Sequence, residues 1–244
     1  LPKPIKLSDI KGDLQMHTHY SDGQNTVEEM ATVCKSLGYE YVAITDHSST
    51  LGVTQGLKIE EIDKYIFTIR RLSHRFGIKI FAGIEANIKP DGSIDLPDKV
   101  LGKFDIVLGA IHSSFRQNKF DATKRLVRAI KNPYVKIIAH PTGRIINRRP
   151  GLEFDCEEVF EACKKNKTIL EINSYPDRLD LRDTLIRQAI KYGVDLVINT
   201  DSHSINDLSN MNYGVSQARR GWAQSKNIIN SLPLKRFQHV LNIH

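Results

Sequence analysis

Seven short apolar runs, rich in β-branched residues, recur along the chain, and helical patterns separate most of them. Near-continuous apolar runs of this length are typical of strands buried on both faces of a parallel sheet. Their period of roughly 30 residues is that of one strand with its crossover helix. Such repeats close into an α/β barrel or form a doubly wound sheet. The predicted strands lie at 13–19, 41–47, 79–87, 106–112, 135–141, 169–174 and 195–203.

The segments between these runs carry helix start and stop signals. Thr26 and Glu29 form the pattern of a capping box, and the helix that they begin ends at Gly38. We expect residues 88–104 to form an elaborated loop. The chain has no stretch resembling an interdomain linker, so residues 1–244 are predicted to form one domain. Further helices are predicted at 59–77, 121–132, 155–166 and 182–193.

Six of the seven predicted strands end on residues that can bind a metal ion, and barrel enzymes assemble their sites at the carboxyl ends of strands. Residues two apart on a strand face the same way, so the paired ligands at the first and last strands can converge. Burying so many ionisable groups is costly unless they coordinate metal. The sequence therefore predicts a polynuclear site suited to Zn²⁺, Mn²⁺ or Fe²⁺. Its candidate ligands are His17, His19, His47, Glu85, His112, His140, Asp201 and His203.

The remaining polar residues of these kinds receive weaker assignments. The sixth strand departs from the pattern and offers Glu171 and Asn173 instead of a histidine. The other three histidines lie in helical or C-terminal contexts and are given no role; they are His74, His239 and His244.

Charge and composition leave two interpretations of the surface open. The net charge is +7, and no acidic residue follows Asp207. Arg144, Arg148 and Arg149 form a second basic segment, which is typical either of a polyanion-binding site or of a solvated basic face. The three cysteines form no paired motif, as expected of free thiols in a reducing cytoplasm. No apolar run approaches the roughly 20 residues that span a bilayer, so no membrane contact is predicted.

Six motifs in order along the chain resemble the PHP (polymerase and histidinol phosphatase) superfamily. They are QMHTHYSDGQNT, AITDHSSTLG, GIEANI, GAIHSS, IIAHPTGR and NTDSH, and the match covers nearly the whole chain. DIKGDLQMHTHYSDGQNT and GRIINRRPG look most like the C-terminal PHP domain of bacterial and archaeal family X DNA polymerases. The amidohydrolases also begin with a His-x-His strand, but they match less well because they normally have eight strands.

The resemblance implies a distorted, seven-stranded (β/α)₇ TIM-like barrel with three divalent metal ions, Zn²⁺ or Mn²⁺. One ion is expected at His17, His19, Glu85 and Asp201. Glu85 bridges to a second ion, which His112 and His140 complete. The third is expected at His47, His203 and an early residue that varies among subfamilies, matched here to Asp22. Glu85, His140 and Asp201 are assigned the catalytic role.

The resemblance also implies a function and two alternatives. The implied activity is 3′–5′ exonuclease and end processing at single-stranded or gapped DNA 3′ ends, by attack of a metal-bridging hydroxide. Arg144, Arg148 and Arg149 are expected to contact substrate phosphates. A polymerase domain is expected to precede Leu1 in the natural chain. The alternatives are a small-molecule phosphatase of the histidinol phosphatase type and a non-catalytic, metal-binding module of a polymerase.

Overall fold

The fold is a nearly closed barrel of parallel strands with helices around it. A computed structural model describes residues 3–49 and 56–243, apart from the side chain of His74. Within these residues, seven parallel strands follow one another in sequence order around the sheet. The predicted TIM-like barrel is confirmed. The strands are β1 (Gly12–Asp13), β2 (Tyr41–Ile44), β3 (Lys79–Asn87), β4 (Ile106–Ala110), β5 (Val135–Ala139), β6 (Ile169–Asn173) and β7 (Leu196–Asn199).

Helices follow the strands and cover the outside of the sheet. The capping box predicted for α1 is present, because Thr26 Oγ1 accepts the Glu29 N–H and the Glu29 carboxylate accepts the Thr26 N–H. None of the helices in the described ranges is both long and apolar enough to cross a membrane. The helices are α1 (Val27–Ser36), α2 (Ile62–Phe76), α3 (Asp98–Leu101), α4 (Lys119–Ile130), α5 (Cys156–Asn166), α6 (Asp183–Tyr192), α7 (Met211–Arg220) and α8 (Leu234–Leu241).

The predicted extent of the first strand is wrong. β1 ends at Asp13, because side chains replace the neighbouring strands as hydrogen-bond acceptors beyond it. The Leu14 N–H donates to Asn199 Oδ1 at 3.0 Å, and the Met16 N–H donates to Thr45 Oγ1 at 3.1 Å. The loop predicted at 88–104 also contains the short helix α3. These departures leave the carboxyl ends of the strands irregular, at the edge where the candidate ligands lie.

The barrel closes between β7 and β1 without a continuous ladder. A parallel bridge joins Met16 to Ser202, and the His17 N–H donates to the Ser202 carbonyl at 2.8 Å. Below this bridge, the buried Asn230 side chain donates to the carbonyls of Gly12 and Ile198. Asn230 therefore takes the place of a missing strand-to-strand contact.

Two apolar cores hold the barrel. The larger lies between the sheet and the surrounding helices, and the smaller fills the barrel interior. Phe237 of α8 enters the interior from the end opposite the candidate ligands and stacks on Tyr41, with ring centroids 4.3 Å apart. Phe81 packs against Phe237 at 5.7 Å. Because α8 closes that end, access to the interior is from the carboxyl ends of the strands.

Candidate metal centre

The carboxyl ends of the strands bring eight of the nine predicted metal ligands into one cluster. Seven of them form three overlapping groups, in each of which the ligand atoms lie within 4.8 Å of one another. The groups are His17–Asp22–His47–His203, His47–Glu85–His112 and His17–Glu85–Asp201. His140, the eighth, joins the cluster through Glu85.

Glu85 of β3 lies at the centre of the cluster. Its Oε2 atom is 3.3 Å from His17 Nε2 and 3.1 Å from His47 Nδ1. Its Oε1 atom is 2.9 Å from His140 Nε2 and 3.4 Å from His112 Nε2. The two oxygens therefore face different pairs of imidazoles, which is the geometry required of a bridging carboxylate.

Asp22 lies on the opposite side of His17 and His47 from Glu85. Its carboxylate oxygens are 3.6 Å from His17 Nδ1, 3.5 Å from His47 Nε2 and 3.4 Å from His203 Nε2. Gly23 permits this approach, since a Cβ atom there would lie 2.4 Å from the His17 backbone. The structure thus brings Asp22 beside His47 and His203, and its role as a ligand stays a prediction.

Asp46 fixes the turn that carries Asp22. Its carboxylate accepts the Thr18 N–H at 2.7 Å, the Thr18 hydroxyl at 2.8 Å and the Ser21 hydroxyl at 2.7 Å. Sequence reasoning missed Asp46, although it directly precedes His47. An acid next to a ligand histidine was the available signal.

The structure does not bring His19 into the cluster. Its ring is exposed, and Nε2 hydrogen-bonds to the Gln24 carbonyl. The prediction assumed a strand through residue 19, whereas the chain turns after Thr18, and the Ser21 N–H donates to the Thr18 carbonyl. The role of His19 as a ligand stays a prediction. Of the histidines given no role, His239 is exposed on α8, and the His74 side chain and His244 lie outside the described residues.

The donor atoms of the cluster fit bound metal. Buried polar atoms almost always have hydrogen-bond partners. Here five buried atoms of the candidate ligands have no hydrogen-bond partner within the described residues. They are His17 Nδ1, His17 Nε2, His47 Nδ1, Glu85 Oε2 and His140 Nδ1. Imidazole nitrogens and carboxylate oxygens at this spacing suit divalent transition metals.

The second ring nitrogen of two histidines is held by a protein oxygen. His112 Nδ1 lies 2.7 Å from Asn87 Oδ1, and His203 Nδ1 lies 2.8 Å from the Asp201 carbonyl. An N–H donated from Nδ1 leaves each Nε2 lone pair directed at the cluster. Ligand histidines are oriented in this way in metalloproteins.

Two cluster residues adopt unusual backbone conformations. His140 has φ of 28° and Asp201 has φ of 55°, a region that non-glycine residues rarely occupy. Glu171 holds the first of them by accepting the His140 N–H at 2.7 Å, and Gln15 holds the second by accepting the Asp201 N–H at 3.1 Å. Strained backbone of this kind concentrates at functional sites.

The acids of the cluster are ionised. Burial alone raises the pKa of Glu85, but the charges of His47 and His112 outweigh it and hold the pKa well below its usual range. Burial likewise opposes ionisation of Asp201 and Asp22, and hydrogen bonds from neighbouring histidines lower the pKa of both. Three carboxylates and five imidazoles thus lie within one site.

Two histidines of the cluster are protonated at neutral pH. Burial lowers the pKa of His47 and His203, but the charge of Glu85 on His47 and the Asp22 hydrogen bond to His203 outweigh it, raising each pKa to about 9. Burial, with the Arg178 charge, lowers the pKa of His140. Because ligand histidines must be neutral, metal that binds here displaces protons.

The predicted substrate arginines have different surroundings. Arg144 Nε donates to the Arg178 carbonyl at 2.7 Å, and a second Arg144 nitrogen donates to the Leu179 carbonyl. Arg149 Nε donates to the Gly143 carbonyl at 2.9 Å, and its guanidinium lies 3.5 Å from the Phe115 ring centroid. Arg144 and Arg149 thus brace the loop after His140. Their phosphate contacts, and those of exposed Arg148, stay a prediction.

Sequence reasoning missed Arg178, which lies at the edge of the cluster. Its Nε is 3.6 Å from Asp201 Oδ2, and its side chain is 21% exposed. The residue belongs to the irregular segment between β6 and α6, and no periodic pattern marks it. It is the arginine of the described residues that pairs with a ligand carboxylate.

Comparisons with known proteins agree with this geometry. The PHP domain family matches residues 13–175. The DNA polymerase/3′-5′ exonuclease PolX of Bacillus subtilis (strain 168) is 47% identical over 232 residues, which make up 95% of this chain and 41% of that protein. This chain therefore spans less than half the length of PolX. A protein of Acetivibrio thermocellus named "Probable phosphatase" is 32% identical over 207 residues, or 80% of each chain.

Solved structures share the fold. Histidinol phosphate phosphatase from Lactococcus lactis subsp. lactis Il1403, complexed with zinc, L-histidinol and phosphate, has a TM-score of 0.60 and 16% sequence identity. The match covers 85% of this chain and 93% of that one. The family match over residues 13–175 and the close relation to PolX confirm the resemblance seen in the motifs. The chain belongs to the PHP family of metal-dependent phosphoesterases.

Proposed function

We propose that this chain is a 3′–5′ exonuclease that processes DNA 3′ ends. The observation that carries the proposal is the convergence of three overlapping ligand groups on Glu85, His17 and His47. The relation of this chain to PolX, whose name includes a 3′-5′ exonuclease, supports DNA as the substrate. The net charge of +7 favours a polyanion.

We infer that three divalent ions, Zn²⁺ or Mn²⁺, would bind at the three groups of ligands. Ions held there would supply Lewis acidity toward the phosphoryl oxygens. Ionised Glu85, Asp201 and Asp22 provide the negative charge that retains the ions. His140 is buried with a lowered pKa, and the neutral form that follows suits a ligand.

Among the described residues, Arg178 is well placed to hold the substrate phosphoryl group. Its guanidinium is partly exposed beside Asp201 and offers donors in the fork geometry that matches phosphate. Arg148 and Arg149 provide additional cations on the adjoining loop. Arg144, also a proposed phosphate contact, holds this loop to the Arg178–Leu179 backbone.

The test is hydrolysis of a single-stranded oligonucleotide labelled at its 5′ end, with Mn²⁺ or Zn²⁺. A ladder of products shortened one nucleotide at a time is expected. Asp201→Ala and His140→Ala should lower the rate about a hundred-fold or more. His239→Ala is the matched control, because His239 is exposed on α8, at the opposite end of the barrel from the ligands. Unchanged cleavage by the two ligand variants would favour the non-catalytic module.

A small-molecule phosphatase is the second candidate. The relative in A. thermocellus, of similar length to this chain, and the L. lactis phosphatase fold support it. A monoester such as p-nitrophenyl phosphate, assayed beside the oligonucleotide, separates the two. Rapid release of phosphate from the monoester, with no shortening of the oligonucleotide, would establish the phosphatase.

The cellular context belongs to the same proposal. We propose that a polymerase domain lies in the same natural chain, since this chain spans 41% of PolX, and that residues 1–244 form one domain beside it. The three free cysteines favour a reducing cytoplasm.

A further inference from the structure

A large cavity opens beside the loop that follows His140. Its volume is about 830 Å³, and its lining includes Thr142, which lies two residues after His140. The loop at 144–154 forms one wall, and the first residues of α4, α5 and α6 form the other. The cavity therefore lies on the same side of the barrel as the ligand cluster.

The lining of this cavity is strongly basic. Lys119, Arg144, Arg148, Arg149 and Arg182 contribute five cations, and Glu153 contributes one carboxylate. Lys119 is paired with Asp155 at 3.3 Å. The guanidiniums of Arg148 and Arg182 are exposed and make no ion pair with a carboxylate in the described part of the chain. The cavity thus has positive charge that its own acids do not neutralise.

Three helices begin at this cavity, and acids in their first turns (Asp121, Glu157, Glu158 and Asp183) offset part of the positive charge of their amino ends. Lys119 and Cys156 are the first residues of α4 and α5, and Arg182 is the residue before α6. The amino end of a helix carries a partial positive charge, which favours anions. Each of these helices has ten residues or more.

The size and walls of the cavity indicate an extended ligand. Volumes of roughly 300–1,000 Å³ accommodate ligands much larger than a phosphate ion. Ile145, Leu152 and Phe154 provide apolar wall beside the cations, against which bases can pack. We propose that this cavity binds the phosphodiester backbone of a single-stranded polynucleotide whose 3′ end lies at the metal centre. The inference rests on the proposed function and specifies where the strand leaves the centre.

Cys156 provides a direct test, because its thiol lines the cavity and is half-buried. The other two cysteines, Cys34 and Cys163, are fully buried. An oligomer of about twelve nucleotides should slow alkylation of Cys156 several-fold. Inorganic phosphate or a nucleoside monophosphate at the same phosphate concentration should leave the rate of alkylation unchanged. Cys156→Ser identifies the labelled site. Equal protection by inorganic phosphate would overturn the proposal in favour of a free-phosphate site.

Salt dependence gives a second measurement. Affinity for the oligomer is measured by fluorescence anisotropy at several salt concentrations. Replacing Arg148 and Arg182 with Gln removes two cations, so the slope of log K against log[salt] should fall by about 1.4. Lys235 and Arg236, exposed on α8, give the matched double variant, whose slope should be unchanged. Equal slopes for the wild type and the cavity variant would refute the inference.

The outcomes separate the cavity from the proposed activity. Protection of Cys156 without shortening of the oligomer would retain the binding site and reject the exonuclease. Shortening without protection, and with an unchanged salt slope, would retain the exonuclease and reject the cavity. An oligomer that neither binds nor is shortened would reject both.

Discussion

Buried carboxyl groups in this barrel divide into two kinds according to their neighbours. Glu85 and Asp201 face imidazoles, which lower the pKa of both acids in spite of burial. Glu171 and Asp13 face amides and hydroxyls, and burial raises the pKa of both. Opposed shifts of this kind assign roles to acids. The first pair provides charge for metal ions, and the second accepts the N–H groups of His140 and Thr200.

Asp13 gives a residue-scale prediction about stability. Burial raises its pKa to about 7, although the Thr200 hydroxyl and N–H donate to it. A group whose folded pKa is raised destabilises the fold as pH rises from the unfolded pKa to the folded one. Three pKa units correspond to about 4 kcal/mol. The stability of Asp13→Asn relative to the wild type should therefore increase by about that amount between pH 4 and pH 8.

Urea unfolding at a series of pH values, with metal removed by chelation, provides the measurement. Asp177→Asn, at an exposed position, gives the effect of losing a surface carboxylate. A difference between Asp13→Asn and the wild type that stays constant with pH would show that Asp13 is ionised in the folded protein.

Residue type and strand-end position were enough to identify most of the candidate ligands from sequence. The residues that support them were not identified, because contacts with Asp46, Gln15 and Arg178 depend on how the loops fold. His19 shows the same limit. The alternation of side-chain direction along a strand predicted that His19 faces the same way as His17, but the chain turns after Thr18 and the alternation ends there. Sequence thus predicts which side chains gather at the strand ends more readily than it predicts how each is oriented.

At the scale of elements, apolar periodicity predicted the six strands β2–β7 and the helices α1, α2, α4, α5 and α6. It could not predict β1, whose ladder is replaced by bonds to side chains such as Asn199 and Thr45. It also missed α7 and α8, which lie after the last apolar run. The packing of α8 against Tyr41 joins residues almost two hundred positions apart, and no local sequence pattern predicts this contact.

Closure of the barrel at β1 and β7 depends on Asn230. Its side chain donates to two carbonyls and accepts the Ile198 N–H at 3.1 Å. Asn230→Ala leaves these buried groups without partners, so we expect a loss of about 2 to 4 kcal/mol in the free energy of unfolding. Urea denaturation measures it. Asn206→Ala, at an exposed position, should change stability by about 0.5 kcal/mol or less. Similar values for both variants would contradict the role of Asn230 in closure.

At the scale of the whole molecule, the barrel is closed at one end by α8 and has its ligands at the other. Ions that bind only the folded chain stabilise it by mass action. At a metal concentration about a hundred times Kd, a gain of about 2.7 kcal/mol corresponds to a rise in Tm of about 5 to 10 °C. Calorimetry with Zn²⁺ or Mn²⁺ and with a chelator measures the difference. Equal Tm values in both conditions would indicate that the folded chain binds no metal.

The most direct test of the metal centre is elemental analysis after loading with Zn²⁺ or Mn²⁺ and removal of free ions. We expect three equivalents per wild-type chain, one for each ligand group. Glu85→Gln should retain one, because Glu85 belongs to two of the three groups. His239→Ala should retain all three. A wild-type chain that keeps no metal, or a Glu85→Gln chain that keeps as much as the wild type, would contradict a centre built around Glu85.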